Sequence, residues 1–310
     1  MIETNNLRSR FMSKSQKITP NLWFNLTAKE AVDFYVTAFE NSKVAATSYY
    51  PHEGLLEFQK PLAGKELTID FELNGHRFTA INAGPEFEKN PSISFMLNFD
   101  PSQDKQAREH LDELWAKLSE GGEELMPLQE YPFSKRYGWV KDKYGTTWQL
   151  ILTDPSGEPR PFIVPNLMFS GPVQNKAAEA ITFYLSVFKN SKTGNLAEYA
   201  EDTGPAKKGS LMFADFQLED QWFAAMDSGV DQPFTFNEGI SLMINCKDQN
   251  EIDYYWEKLS HVPESEQCGW AKDKYGVSWQ VVPKNMEELM KKPKAFEKLL
   301  KMKKIVIDEF

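Results

Sequence analysis

The feature that most constrains this chain is that it repeats itself. The stretch GWVKDKYGTTWQL at 138–150 returns as GWAKDKYGVSWQV at 269–281, with nine of the thirteen positions identical. Earlier blocks match in the same order. PNLWFNLTAKEAVDFYVTAFENSKV at 20–44 pairs with PNLMFSGPVQNKAAEAITFYLSVFKNSKT at 165–193, which carries four extra residues before its helix. LTIDFELNGHRFTAINAG at 67–84 pairs with MFADFQLEDQWFAAMDSG at 212–229, and ISFMLNF at 93–99 with ISLMINC at 240–246. LDELWAKLS at 111–119 pairs with IDYYWEKLS at 252–260. Blocks that keep their order, with length changes only where loops belong, indicate one domain present twice. The 310 residues also exceed what a single core usually serves. The joint falls in TDPSGEPRPF, 153–162, rich in Pro and Gly as linkers are. Domains are therefore expected at 18–153 and 162–283, flanked by a flexible leader, 1–17, and a C-terminal helical tail, 284–310.

Each copy alternates two hydrophobic periods. NLWFN alternates as a strand does, and KEAVDFYVTAF places Ala31, Phe34, Tyr35 and Ala38 on one helical face. LTIDFEL and HRFTAIN flank Asn74-Gly75, the signal of a two-residue hairpin turn. ISFMLNF reads as a strand and DKQAREHLDELWAKLSEGG as an amphipathic helix closed by Gly121-Gly122. WVKDKYGTTWQLIL reads as a hairpin turning at Lys143-Tyr144-Gly145. Each copy thus holds two βαβββ-like halves, and the chain holds four. The tail reads as a helix pair interrupted at Pro293, followed by IVIDEF, which could add a strand or a contact.

Composition excludes several partners. A net charge of -10 argues against non-specific nucleic-acid binding, which needs clustered Lys and Arg. The two cysteines, Cys246 and Cys268, form neither a CxxC nor a Cys/His zinc pattern, so a reducing, cytoplasmic setting is expected. No apolar run is long enough for a membrane span. The N-terminal stretch lacks an apolar signal core, and Met12 offers a second start. Aromatic residues reach 13%, enough for ring-rich cores or a ring-lined cavity.

The FY-xxx-F helix after a short first strand, LSEGGEELMPLQE, and GWVKDKYGTTWQL together resemble the PhnB-like branch of the vicinal-oxygen-chelate superfamily, the group of glyoxalases, bleomycin-resistance proteins and extradiol dioxygenases. That branch carries the description 3-demethylubiquinone-9 3-methyltransferase-like. The resemblance spans 18–152 well and 162–283 less fully. It implies an α+β fold of tandem glyoxalase-like domains, each built of two βαβββ modules whose curled sheet forms a cup. It also implies an intrachain pseudo-dimer, so that the molecule is a monomer or a homodimer.

In relatives the cup holds a divalent metal or a small ligand. Carried over by position, the ligand sites fall at Asn21, near Ser92, and at Gln149. In the second copy they fall at Asn166, Gly239 and Gln280. Neutral amides and hydroxyls are poor divalent-metal ligands without charged partners, and His52, His76, His110 and His261 all lie elsewhere. No metal and no other cofactor is therefore expected. The residues expected to line a domain 1 ligand cup are Asn21, Trp23, Ser92, Arg136, Trp139 and Gln149, with Asn166 and Gln280 forming a weaker second cup. Arg136 is favoured because its loop is ten residues longer than the equivalent PESEQC stretch, and in relatives that loop covers the cavity. Trp148 is expected to face away from the cup, because strand neighbours alternate. Asp142 is expected to cap its turn, with Lys141 and Lys143 in solvent.

Three functions follow as expectations: metal-independent binding of a small molecule, a glyoxalase- or dioxygenase-like metalloenzyme with unusual ligands, or a non-catalytic interaction protein. Methyl transfer is not expected, because no G-x-G occurs to open a nucleotide-type loop.

Overall fold

The computed structural model describes residues 16–310, so all but the last two positions of the expected leader lie outside the described residues. The first repeat runs β1 (Ile18–Asn25), α1 (Ala28–Ala38), β2 (Lys43–Tyr49), β3 (Glu66–Leu73), β4 (His76–Ala83), then β5 (Ile93–Phe99), α2 (Ala107–Ser119), β6 (Glu123–Tyr131), β7 (Ser134–Lys141) and β8 (Thr147–Leu152). The second runs β9 (Ile163–Phe169), α3 (Ala177–Val187), β10 (Lys192–Glu198), β11 (Leu211–Leu218), β12 (Gln221–Asp227), then β13 (Ile240–Cys246), α4 (Gln249–Leu259), β14 (Trp270–Lys272) and β15 (Ser278–Pro283). Two short helices, α5 (Met286–Leu289) and α6 (Ala295–Leu299), follow.

The strands form two curled sheets, and each sheet draws one half from each repeat. The seven-stranded sheet has the order β14-β15-β13-β1-β4-β3-β2, and the eight-stranded sheet β10-β11-β12-β9-β5-β8-β7-β6. The seams are antiparallel. Asn21 faces Ser241 across β1 and β13, and Ser94 faces Asn166 across β5 and β9. The cup is therefore not assembled within one repeat. The first half of repeat one joins the last half of repeat two, and the two middle halves join each other.

Alternation assigns the faces. Leu22, Phe24, Ala80 and Leu242 are buried toward the helices of the first sheet, as are Phe95, Leu150 and Leu167 in the second. In α1, Ala28, Ala31, Val32, Tyr35 and Ala38 meet that core at helical spacing, while Phe34 is only partly buried. The opposite face of each sheet is the cup face. Asn74-Gly75 turns with both residues at positive φ, as does the pair Glu219-Asp220 that replaces it in the second copy. None of the helices among the described residues is long and apolar enough to cross a membrane.

The expected reading missed β6. ELMPLQEY is an edge strand with three register shifts against β7, and an edge is where Pro127 can stand in a strand. The terminal IVIDEF ends in a single tight turn rather than a strand.

Candidate functional site

The repeated hairpin resolves into two separate roles on the two faces of its sheet. On the helix face, Asp142 is a fully satisfied hub. Its Oδ2 accepts from Tyr35 OH at 2.9 Å and Trp148 Nε1 at 2.7 Å, and its Oδ1 accepts from the backbone N–H of Tyr144 and Thr146. Asp273 repeats this with Tyr184 OH, Trp279 Nε1 and the backbone of Tyr275 and Val277. Burial raises both carboxyls, and the four donors oppose that shift. Asp142 caps its turn as expected, and Trp148 faces the core beneath α1 as expected. The Tyr of the FY helix and the Asp and Trp of the hairpin thus form one structural contact. This contact explains why those motifs travel together.

On the cup face lies a row of neutral polar side chains in each sheet. In the second sheet, Gln149 Nε2 donates to Ser94 Oγ at 2.7 Å, and Tyr137 OH donates to Gln149 Oε1 at 2.8 Å. Asn166 Nδ2 reaches the same Ser94 Oγ at 3.4 Å. Burial pushes the Tyr137 phenol up, so it stays a neutral donor. In the first sheet, Gln280 Nε2 donates to Ser241 Oγ at 2.9 Å, and Asn21 stands opposite Ser241. Asn21 and Asn166 are both buried, and the Oδ1 of each is buried with no partner.

The residues expected to share a domain 1 cup divide between the two sheets. Asn21 and Trp23 are in the first sheet, with Gln280. Trp139 and Gln149 are in the second, with Asn166, and Ser92 lies in the turn just before β5. The grouping expected from sequence is corrected for a physical reason: a first strand completes its sheet by pairing with the half that packs beside it, which here comes from the other repeat. Ser92 is two residues short of the row, and its carbonyl accepts from Met168 N–H. The row member is Ser94, and its counterpart in the other sheet is Ser241 rather than Gly239. The matched serines of ISFMLNF and ISLMINC were the signal that could have found them.

Arg136 is also corrected. It alternates away from Tyr137 and Trp139 and lies on the helix face. There its Nε bonds Asp112 Oδ1 of α2 at 2.8 Å and its Nη1 bonds Leu128 O. The long stretch before it is the β6–β7 hairpin that extends the sheet, and Tyr131 and Phe133 near its turn pack on Tyr137. Trp139 does face the cup, paired in register with Gln149, and its Nε1 is buried without a partner. Trp23 donates from Nε1 to Gly84 O and packs edge-on to Phe87 and Trp270.

Apolar side chains surround the second row. Met96, Val164 and Ala224 form a cluster separate from the main core, with Ile151, Phe213 and Trp222 against it. Arg160 from the linker closes one side. Its guanidinium lies 3.9 Å over the Trp222 ring, and its Nε bonds Asp215 at 2.8 Å. Among the described residues, no group of three His, Cys, Asp or Glu side chains could hold a metal ion. The donor set of either row is neutral oxygen and nitrogen. That chemistry does not fit the divalent ion held in glyoxalase-like cups.

Comparison with known proteins agrees with this architecture. The family model described as 3-demethylubiquinone-9 3-methyltransferase matches residues 16–151 and again 161–282. The PhnB protein of Bacillus cereus is 35% identical, with 44% of this chain and 100% of that chain aligned at a TM-score of 0.38. Protein PA1353 from Pseudomonas aeruginosa is 22% identical over 45% of this chain and 98% of its own, at 0.36. Glyoxalase I from Zea mays is 11% identical, yet aligns over 87% of this chain and 95% of its own at 0.51, which is a likeness of fold. None of the curated protein sequences compared matches the chain. Matched twice, in order, by one family model, the chain belongs to the PhnB-like 3-demethylubiquinone-9 3-methyltransferase family and is a tandem glyoxalase-like protein.

Proposed function

We infer that this protein binds a small, largely apolar molecule on the cup face of its second sheet, without a metal. The observation that carries this reading is the pair of buried, partnerless groups on that face, Asn166 Oδ1 and Trp139 Nε1. Buried polar atoms are nearly always satisfied, so an acceptor and a donor left open beside an apolar cluster favour a ligand that supplies both partners. Tyr137, Gln149 and Ser94 hold the row in place through their mutual hydrogen bonds. Metal independence is supported by the neutral donor set. The family description names methyl transfer. A nucleotide-type site would need a Gly-rich loop between a parallel strand and a helix, and the chain has no G-x-G.

The test uses anilinonaphthalene sulfonate, an aromatic anion whose fluorescence rises on burial. Saturable binding by the intact chain should persist after chelation with EDTA. It should weaken by about tenfold in Gln149→Leu, the equivalent of about 1.4 kcal/mol. Stoichiometric nickel, zinc or manganese in the purified protein, lost together with dye binding on chelation, would overturn the reading.

A further inference from the structure

The two cup faces correspond position by position but differ in chemistry. Val164, Ala224 and Trp222 of the second sheet stand where Thr19, Thr79 and Arg77 stand in the first. The second sheet therefore has the more apolar floor, and one wall of it is finished by a residue from the linker. Arg160 stacks its guanidinium 3.9 Å over the Trp222 ring, with 11% of its side chain exposed. Its Nε donates to Asp215 Oδ2 and its Nη1 to Glu158 Oε2, both at 2.8 Å. Asp215 is 6% exposed and also accepts from the Asn195 backbone N–H. Strand β10 makes room for this wall with Gly194, where the first repeat has Ala45. A Cβ added at Gly194 would collide with Asp215 Oδ1 and Trp222. In the first sheet the equivalent Asp70 is exposed, and Arg77 Nε bonds Glu72.

One donor of the Arg160 guanidinium is left over. Its Nη2 is buried and has no partner among the described residues. With Asn166 Oδ1 and Trp139 Nε1, the second cup thus holds two open donors and one open acceptor. Their order follows from register. Trp139 is level with Gln149, Gln149 with Met96, and Met96 with Val164. Trp222 precedes Ala224 by two residues, as Val164 precedes Asn166, so Trp222 ends the same row. Trp139 and the Arg160–Trp222 pair are therefore opposite walls, about 19 Å apart along the curled sheet at four strand steps. Asn166 lies between them.

The charges decide what the spare Nη2 can meet. Asp215 and Glu158 both bond the guanidinium, and Lys192 is a second cation at this wall, 5.7 Å from the centre of the Trp222 ring. Two cations and two carboxylates already balance. An anionic ligand would bring an uncompensated charge to a side chain held out of water. A neutral oxygen accepts the N–H without that cost.

We propose that Arg160, supplied by the joint between the repeats, is the specificity-determining residue of the second cup, and that the ligand is an uncharged, largely apolar molecule with a carbonyl-type oxygen at the Arg160 wall and a second acceptor at Trp139. The proposal rests on the binding function inferred above and names the class of molecule bound.

The test uses three naphthalene dyes that differ in one group: the ketone prodan, its analogue with propyl in place of propionyl, and its analogue with carboxylate in that place. The intact chain should bind prodan about tenfold more tightly than either analogue. The double variant Arg160→Met/Asp215→Asn removes the ion pair together and so leaves no lone buried charge. There prodan should lose its tenfold advantage, while the propyl analogue keeps its affinity within about twofold. A variant that weakens both dyes alike would show a structural role for Arg160 and overturn the proposal. The ratio of affinities in the intact chain needs no substitution to fold, and tightest binding of the carboxylate would overturn the proposal as well. Equal binding of prodan and the propyl analogue, both weakened by Gln149→Leu, would remove the Arg160 assignment and keep the binding function. Saturable binding of none of the three would remove both.

Discussion

At the scale of single residues, the chain separates what holds its hairpins from what faces its cups. Asp142 stands between two lysines in sequence, and the fold turns it inward and saturates it with four donors. A buried carboxylate that loses one donor bears the desolvation of the unmet lone pair. Tyr35→Phe should therefore destabilise the protein by about 1–3 kcal/mol, read as a shift in the urea midpoint. Tyr184→Phe should cost a similar amount, because Asp273 has the same partners. A Tyr35→Phe midpoint equal to that of the unaltered protein would show that the hub contributes nothing. The turn and the outward parity of Trp148 were legible because both depend on local alternation and a Gly at φ 83. The bond from Tyr35 was not legible, since it joins positions 107 residues apart.

At the scale of elements, close approaches decide which sequences are tolerated. Gly138 lies where a Cβ would meet Trp115 Cζ3 at 2.5 Å and the Leu128 backbone at 3.1 Å, so the glycine lets α2 settle onto β7 between helix and edge strand. Gly138→Ala should cost about 1–3 kcal/mol through overpacking, and thermal denaturation should report it. An unchanged melting temperature would mean that the helix shifts without penalty. Helices and central strands could be read from their periods. The edge strand β6 could not, because its bulges and Pro127 break the alternation that identifies a strand. The tail could be read as helical and interrupted at Pro293, but its bonds to Gln267, Cys268, Gly269 and Gln249 leave no periodic mark.

At the scale of the whole molecule, neither repeat contains a complete sheet of its own. Each first strand, β1 or β9, takes its seam partner from the other repeat. A fragment covering 16–153 would expose β1 and β5 as unpaired edges, and two copies could satisfy each other through the same antiparallel seams. That fragment should run as a homodimer in size-exclusion chromatography with light scattering. A folded monomer would show that one repeat can close a cup alone.

The division between sequence and structure follows from range. The sequence by itself determined the duplication and the order of strands and helices in each half, because these rest on repeated blocks and on periods of a few residues, while the family resemblance pointed to the neutral Asn21 and Gln149. Only the tertiary structure decided that Asn21 belongs with Ser241 and Gln280, that Asn166 belongs with Ser94 and Gln149, and that Arg136 faces α2. Those assignments depend on which strands meet edge to edge. In a chain with two nearly identical copies, the local pattern is the same for either pairing, and the choice is made by the packing of the whole.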